Sequence, residues 1–121
     1  MKLRELINLD KYLKAIINNI ELKIDVLLKF KLLGILKAIE VPIANFETIR
    51  IEKIQELGKR TENGNVIIEQ DTEAYENFVA TLTTLLDNEV EIIIPKLKAS
   101  DVFDKGISVE YLMGLYPIIE E

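Results

Sequence analysis

The chain has 121 residues with 15 basic and 21 acidic side chains, a net charge of −6, and neither cysteine nor histidine. This composition excludes disulfides and thiol chemistry, the Ser-His-Asp triad and imidazole metal sites, and it removes the commonest general base. With 49% apolar and only 7% aromatic residues, it predicts one domain over residues 1–121 with a core of Leu, Ile and Val.

The first element is predicted to be a short helix. Asn8 or Asp10 can cap it, and its apolar stripe extends to about Asn19. Charged residues are scattered through the first twenty positions, unlike a signal peptide. We therefore expect a cytoplasmic protein.

A long amphipathic helix is predicted next, over residues 22–60. Its apolar residues recur at alternating four- and three-residue steps. Pro42 lacks a backbone donor and clashes with the preceding turn, so a kink or a break is expected near Glu40. Gly58 would end the helix as a left-handed cap. Four charged side chains in the most apolar window, 26–41, argue against a membrane span or a membrane partner.

Two short strands are predicted in the second half. Asn63-Gly64 is a turn signal that precedes a strand over Asn65–Glu69. A second strand, Val90–Ile94, stops at Pro95. We expect these strands to pair with each other as a small ribbon, in either direction.

Two further helices complete the predicted fold. Asp71 or Thr72 caps a helix after the first strand, and Ser108 opens a last short helix that ends at Pro117. The fold class is therefore mainly α (α+β), with a long Pro-kinked helix packed with shorter helices plus a small two-stranded sheet.

The order of several short motifs resembles that of a known family. These motifs are Phe46-x-x-x-Arg50, Leu57-Gly58-Lys59, the Asn-Gly turn, Tyr75-x-x-Phe78, the run from Leu85 to Ile92, and the final Ile107-Ser108. Over residues 9–119 the chain resembles small uncharacterised proteins encoded by tailed phages and prophages, mostly of Gram-positive bacteria. The resemblance implies an accessory protein of the host cytoplasm, which assists particle assembly or disarms a host process, with no established activity.

Charge is divided unequally along the chain. Residues 1–60 carry 12 basic and 8 acidic side chains, whereas residues 61–121 carry 3 basic and 13 acidic ones. The two halves would pack together within one subunit, meet between subunits, or leave the basic half facing an anionic ligand. Duplex nucleic acid is not expected as a partner, because its phosphates would repel the acidic half.

A small anionic ligand is one candidate partner for the basic end of the long helix. An alternative is that Arg50 pairs within the chain, with Glu47, Glu69 or Glu89. The candidate ligand residues are four cations and two tyrosines that would stack on a base: Arg50, Lys53, Lys59, Arg60, Tyr75 and Tyr111.

The long helix is also apolar around most of its circumference, which predicts a homo-oligomer joined through residues 22–41, with C2 symmetry as the first expectation. The alternative is that helix 1 and the C-terminal helix cover the second face. The candidate interface residues are Leu28, Leu32, Ile35, Leu36 and Ile39.

Acidic clusters offer little chemistry. Glu69, Asp71, Glu73 and Glu76 would act as paired acids or hold a cation, but acids in a helix first turn more often complement the helix dipole. We expect no cofactor, no metal and no catalysis. The sequence favours a non-catalytic phage accessory protein that sequesters or inhibits a host factor, such as a defence protein or its nucleotide-type signalling ligand. A virion structural or assembly protein is the alternative.

Overall fold

The computed structural model describes residues 1–120, and it confirms a mainly helical fold with a little β structure. The long helix, the shorter helices and a small antiparallel sheet are all present. In chain order the elements are α1 (Leu3–Ile17), α2 (Val26–Leu57), β1 (Lys59–Arg60), β2 (Val66–Ile67), α3 (Glu73–Leu86), β3 (Leu97–Lys98), α4 (Ala99–Val102), α5 (Val109–Leu115), a 3-10 turn (Tyr116–Ile118) and β4 (Ile119–Glu120).

Helix α1 begins earlier than the sequence suggested, so the prediction of a cap at Asn8 or Asp10 is wrong. The backbone N–H of Lys2 donates to the Glu5 carboxylate at 2.9 Å, which satisfies the first turn. A main-chain bridge also holds the chain start against a distant segment, because Leu3 N–H donates to the Asn88 carbonyl at 3.0 Å. Tertiary pairing thus fixes where this helix starts.

Helix α2 is the longest element, with 32 residues. It begins after Asp25, whose carboxylate accepts from the Leu28 N–H at 2.8 Å, and not at Leu22. It continues through Pro42 to Leu57, so the predicted break near Glu40 does not occur.

Gly58 ends α2 for a different reason from the one predicted. Its backbone is extended (φ −85°, ψ 168°) and not left-handed. A Cβ at this position would lie 2.5 Å from the Ile54 carbonyl oxygen and 2.9 Å from that of Ile67. Glycine is therefore needed because β2 passes directly over the helix end.

Both sheets differ from the predicted ribbon. Strands β1 and β2 form an antiparallel hairpin around the predicted Asn63-Gly64 turn, in which Gly64 has φ +82°. The predicted strand at 65–69 is reduced to Val66–Ile67, and the strand predicted at 90–94 is absent from the described structure. Instead, β3 and β4 pair in parallel near the chain end. The predicted pairing of residues 65–69 with residues 90–94 is wrong, because β2 pairs with β1, its neighbour across the Asn63-Gly64 turn.

The predicted caps of the later helices are confirmed. The Thr72 hydroxyl accepts from the Tyr75 N–H at 3.1 Å at the start of α3. The Ser108 hydroxyl accepts from the Tyr111 N–H at 3.4 Å at the start of α5. Residue 71, the alternative cap, has φ +61° and lies outside the helix.

The core lies chiefly between α1 and one face of α2, and within residues 1–120 every buried core residue is apolar. Its edges are closed by α5 and by the β3–α4 segment. Within the described chain, three ion pairs join the basic first half to the acidic second half: Met1 N to Glu89 at 3.3 Å, Arg4 to Asp87 at 2.8 Å, and Lys31 to Asp101 at 3.2 Å. These contacts support packing of the two halves within one subunit.

Candidate functional site

The predicted anion site is largely neutralised by local ion pairs. Arg50 lies 2.8 Å from the Glu47 carboxylate, and Lys53 lies 3.2 Å from that of Glu56, each one helical turn away. The intrachain alternative for Arg50 therefore holds, with Glu47 as the acid. A cation that is already paired must exchange one carboxylate for another anion, which weakens any gain from binding.

The tyrosines predicted to stack on a base belong to different contacts. Tyr111 packs edge-to-face on Tyr12 of α1, with ring centroids 6.2 Å apart. Tyr75 lies in the first turn of α3 and is half-buried, whereas Lys59 and Arg60 are exposed in β1. Neither cavity described below is lined by any of the six predicted ligand residues.

The acidic cluster near Asp71 shows local hydrogen bonding. The Thr72 hydroxyl, which caps α3, also donates to the Glu69 carbonyl at 2.7 Å. Glu73 and Glu76 occupy the first turn of α3, as the dipole interpretation expects. Within residues 1–120 no group of three or more acidic side chains is arranged to hold a metal ion.

Four of the five predicted interface residues prove to be core residues. Leu28, Leu32, Ile35 and Ile39 are all buried within the single chain, so they are closed to a second subunit, and that assignment is corrected. The fifth, Leu36, is half-exposed. The helix does have a second apolar face, but other residues form it.

The second face of α2 is an exposed heptad stripe that points away from the core. Leu27 is 64% exposed, Phe30 73% and Val41 64%. Because this stripe repeats at the same three- and four-residue steps as the buried one, it forms a continuous seam about five turns long. We call it the outer stripe, and its members are Leu27, Phe30, Gly34, Lys37, Val41 and Ala44.

A groove of about 720 Å³ runs beside the outer stripe, between α1 and α2. Apolar side chains of α2, including Phe30, Leu33 and Leu36, form most of its lining. Polar residues lie along its rim as two ion pairs, Asp10 with Lys14 and Lys37 with Glu40, both at 3.1 Å. An apolar floor with a paired, polar rim is the usual composition of a site that receives an apolar group.

Gly34 in the outer stripe has no structural reason within the chain. A Cβ built there would have no atom of residues 1–120 within 4 Å outside its local helix, and the φ of this residue is not positive. A glycine inside a helix costs about 1 kcal/mol relative to alanine. By contrast, the glycines at 58 and 114 are each forced by a neighbouring group.

A second, much smaller cavity of about 70 Å³ lies where α4 meets the start of α2. Lys31 donates to Asp101 across it at 3.2 Å, and the Lys98 backbone N–H donates to the same carboxylate at 3.1 Å. The hydrogen bond from Lys31, followed by that from Lys98, lowers the pKa of Asp101 below its ordinary value of 3.8. This arrangement fastens α4 to α2.

Comparison with known proteins adds no identification, because no family model, curated protein or solved structure matches the chain. No helix in the described residues is long and apolar enough to cross a membrane. The candidate site is therefore defined by geometry alone, as the groove and the outer stripe of α2.

Proposed function

We propose that this protein is a non-catalytic binding protein whose groove and outer stripe receive an apolar helix face of a protein partner. The observation that carries the proposal is the exposure of Phe30 and its apolar neighbours beside a groove long enough for several helical turns. Helix-in-groove recognition uses such surfaces, with large apolar anchors spaced at helical intervals.

In a phage or prophage setting, this binding would sequester or inhibit a host protein in the host cytoplasm. The resemblance of the motif order to phage-encoded proteins supports that setting. A nucleotide-type signalling ligand has weaker support, because Arg50 and Lys53 are paired with Glu47 and Glu56.

A virion structural or assembly role is the second candidate. It is favoured by the self-complementary spacing of the outer stripe, which suits contacts between identical subunits. Both candidates use the same surface, and they differ in whether the bound helix belongs to another protein.

Site-specific photo-crosslinking in the producing cell tests the proposal. A photoreactive phenylalanine replaces Phe30, which is 73% exposed, and in a control variant it replaces Met113, which is 72% exposed on α5. We expect discrete protein adducts from position 30 and only diffuse labelling from position 113. Equal labelling at the two positions would refute the proposed binding surface.

A further inference from the structure

We propose that the outer stripe binds a second copy of this chain, so that two α2 helices pack antiparallel around a two-fold axis. The inference rests on the second candidate of the proposed function, in which the bound helix belongs to an identical subunit. A two-fold interface must be self-complementary. If one residue of the first copy contacts a given residue of the second, the same two positions also make contact with the copies exchanged.

Size complementarity favours the antiparallel direction. A heptad seam has two kinds of core position, a and d. In an antiparallel pair each a position of one helix faces a d position of the other, so a large residue can lie opposite a small one. Leu27 then faces Ala44 of the second copy, and Phe30 faces Val41 of the second copy. Gly34 faces Lys37 of the second copy at the centre, where the missing side chain leaves room for the aliphatic stem of the lysine.

The parallel direction fails on the same residues. It would place Gly34 against Gly34, which leaves a gap, and Lys37 against Lys37, which brings like charges together. Phe30 would meet Phe30 beside that gap. Of the two directions compared, the antiparallel one places a side chain opposite Gly34.

Charge supports the same register. Lys37 is already 3.1 Å from Glu40 of its own chain, so it enters the seam as a neutral pair. In the antiparallel register the two Lys37 residues lie on opposite sides of the two-fold axis, each opposite Gly34 of the second copy, and each ammonium keeps the Glu40 carboxylate of its own chain. The mid-helix glycine that is unexplained within one chain acquires a role, because it admits the second lysine stem.

Association is tested first by sedimentation equilibrium of the purified protein and three variants. Phe30→Glu and Gly34→Leu should each weaken dimerisation by an order of magnitude or more, whereas Met113→Glu, at a position of equal exposure, should not. A Cβ at position 34 meets no other part of the described single chain, and a thermal melt of Gly34→Leu should show an intact fold while the dimer is lost. A wild-type protein that stays monomeric up to millimolar concentration overturns the proposal.

Direction and register are tested by engineered cysteines, which report cleanly because the chain has none of its own. A mixture of Phe30→Cys and Val41→Cys proteins should form a disulfide heterodimer under mild oxidation, whereas Phe30→Cys alone should form little homodimer. Efficient Phe30→Cys homodimers would show a parallel pair and overturn the assigned geometry.

The two proposals fail separately. If position 30 captures another protein in the cell while the purified chain is monomeric, the proposed function stands and the second-copy inference is wrong. If the purified chain dimerises through the assigned register and position 30 captures only its own copies, the inference stands and capture of a host protein is wrong.

Discussion

Replacing Gly114 by alanine should destabilise the fold although alanine is the better helix former. Gly114 is buried in α5, and a Cβ there would overlap the ring of Tyr12 on α1. The same ring packs edge-to-face on Tyr111, so it has little freedom to turn away. The substitution therefore opposes helix propensity to core packing at a single site.

The expected size follows from these two terms. Overpacking a well-filled contact costs about 1–3 kcal/mol, and we place this case near the upper end because several ring atoms are overlapped. Alanine returns up to about 1 kcal/mol of helix propensity. The net loss in the free energy of unfolding should be about 2 kcal/mol, which lowers the melting temperature by several degrees.

A double-mutant cycle with Tyr12→Ala separates the two terms. Once the ring is removed, Gly114→Ala should become stabilising by up to about 1 kcal/mol, as measured by urea unfolding followed by circular dichroism. The cycle is run on the Phe30→Glu background, so that self-association does not contribute. If Gly114→Ala costs the same with and without the Tyr12 ring, the assigned packing is wrong.

Three further outcomes are expected. Gly58→Ala should lower the free energy of unfolding by about 2 kcal/mol, because its Cβ would press on two main-chain oxygens; urea unfolding measures it against wild type. Thr72→Ala should lower the free energy of unfolding by about 1 kcal/mol, because it leaves the Tyr75 N–H uncapped. Thr72→Ser keeps the capping hydroxyl and should retain most of that stability. Since the folded-state pKa of Asp101 is lowered below 3.8, its ionised form contributes stability above that pH and loses it as the pH falls through the folded pKa. Urea titrations should therefore show Asp101→Asn less stable than wild type at pH 6, with the difference shrinking as the pH falls below 3.8.

The later helices could be predicted well because their start signals are local. A hydroxyl at Thr72 or Ser108 needs only the N–H groups of the next turn, so sequence and structure agree there. The start of α1 depends on a contact with residues 88–90, which is invisible locally. The apolar residues Leu3 and Leu6 did continue the stripe of α1 toward its N-terminus, and they were the available signal.

Strand pairing was the least predictable feature, because two-residue strands carry almost no periodicity. The Asn63-Gly64 turn was predicted, but no strand was predicted before it, because Lys59–Arg60 are charged residues that the sequence assigned to the end of the long helix. Gly58 appeared to be a left-handed cap, but its role is to admit the returning strand. Close approach of distant backbone leaves no local pattern.

The two faces of α2 show what periodicity can and cannot decide. The buried stripe and the outer stripe both repeat in heptads, so the sequence predicted an excess of apolar surface correctly, but four of the five interface residues it named belong to the buried stripe. The difference lies in the polar content. The buried stripe has no charge and no glycine, as a core shared with α1 requires, whereas the outer stripe contains Gly34 and Lys37. A charged residue beside a gap is unfavourable inside a single chain, but across a two-fold axis each fills the space left by the other. The residues that make this face a poor core are therefore those that suit it to an antiparallel second copy.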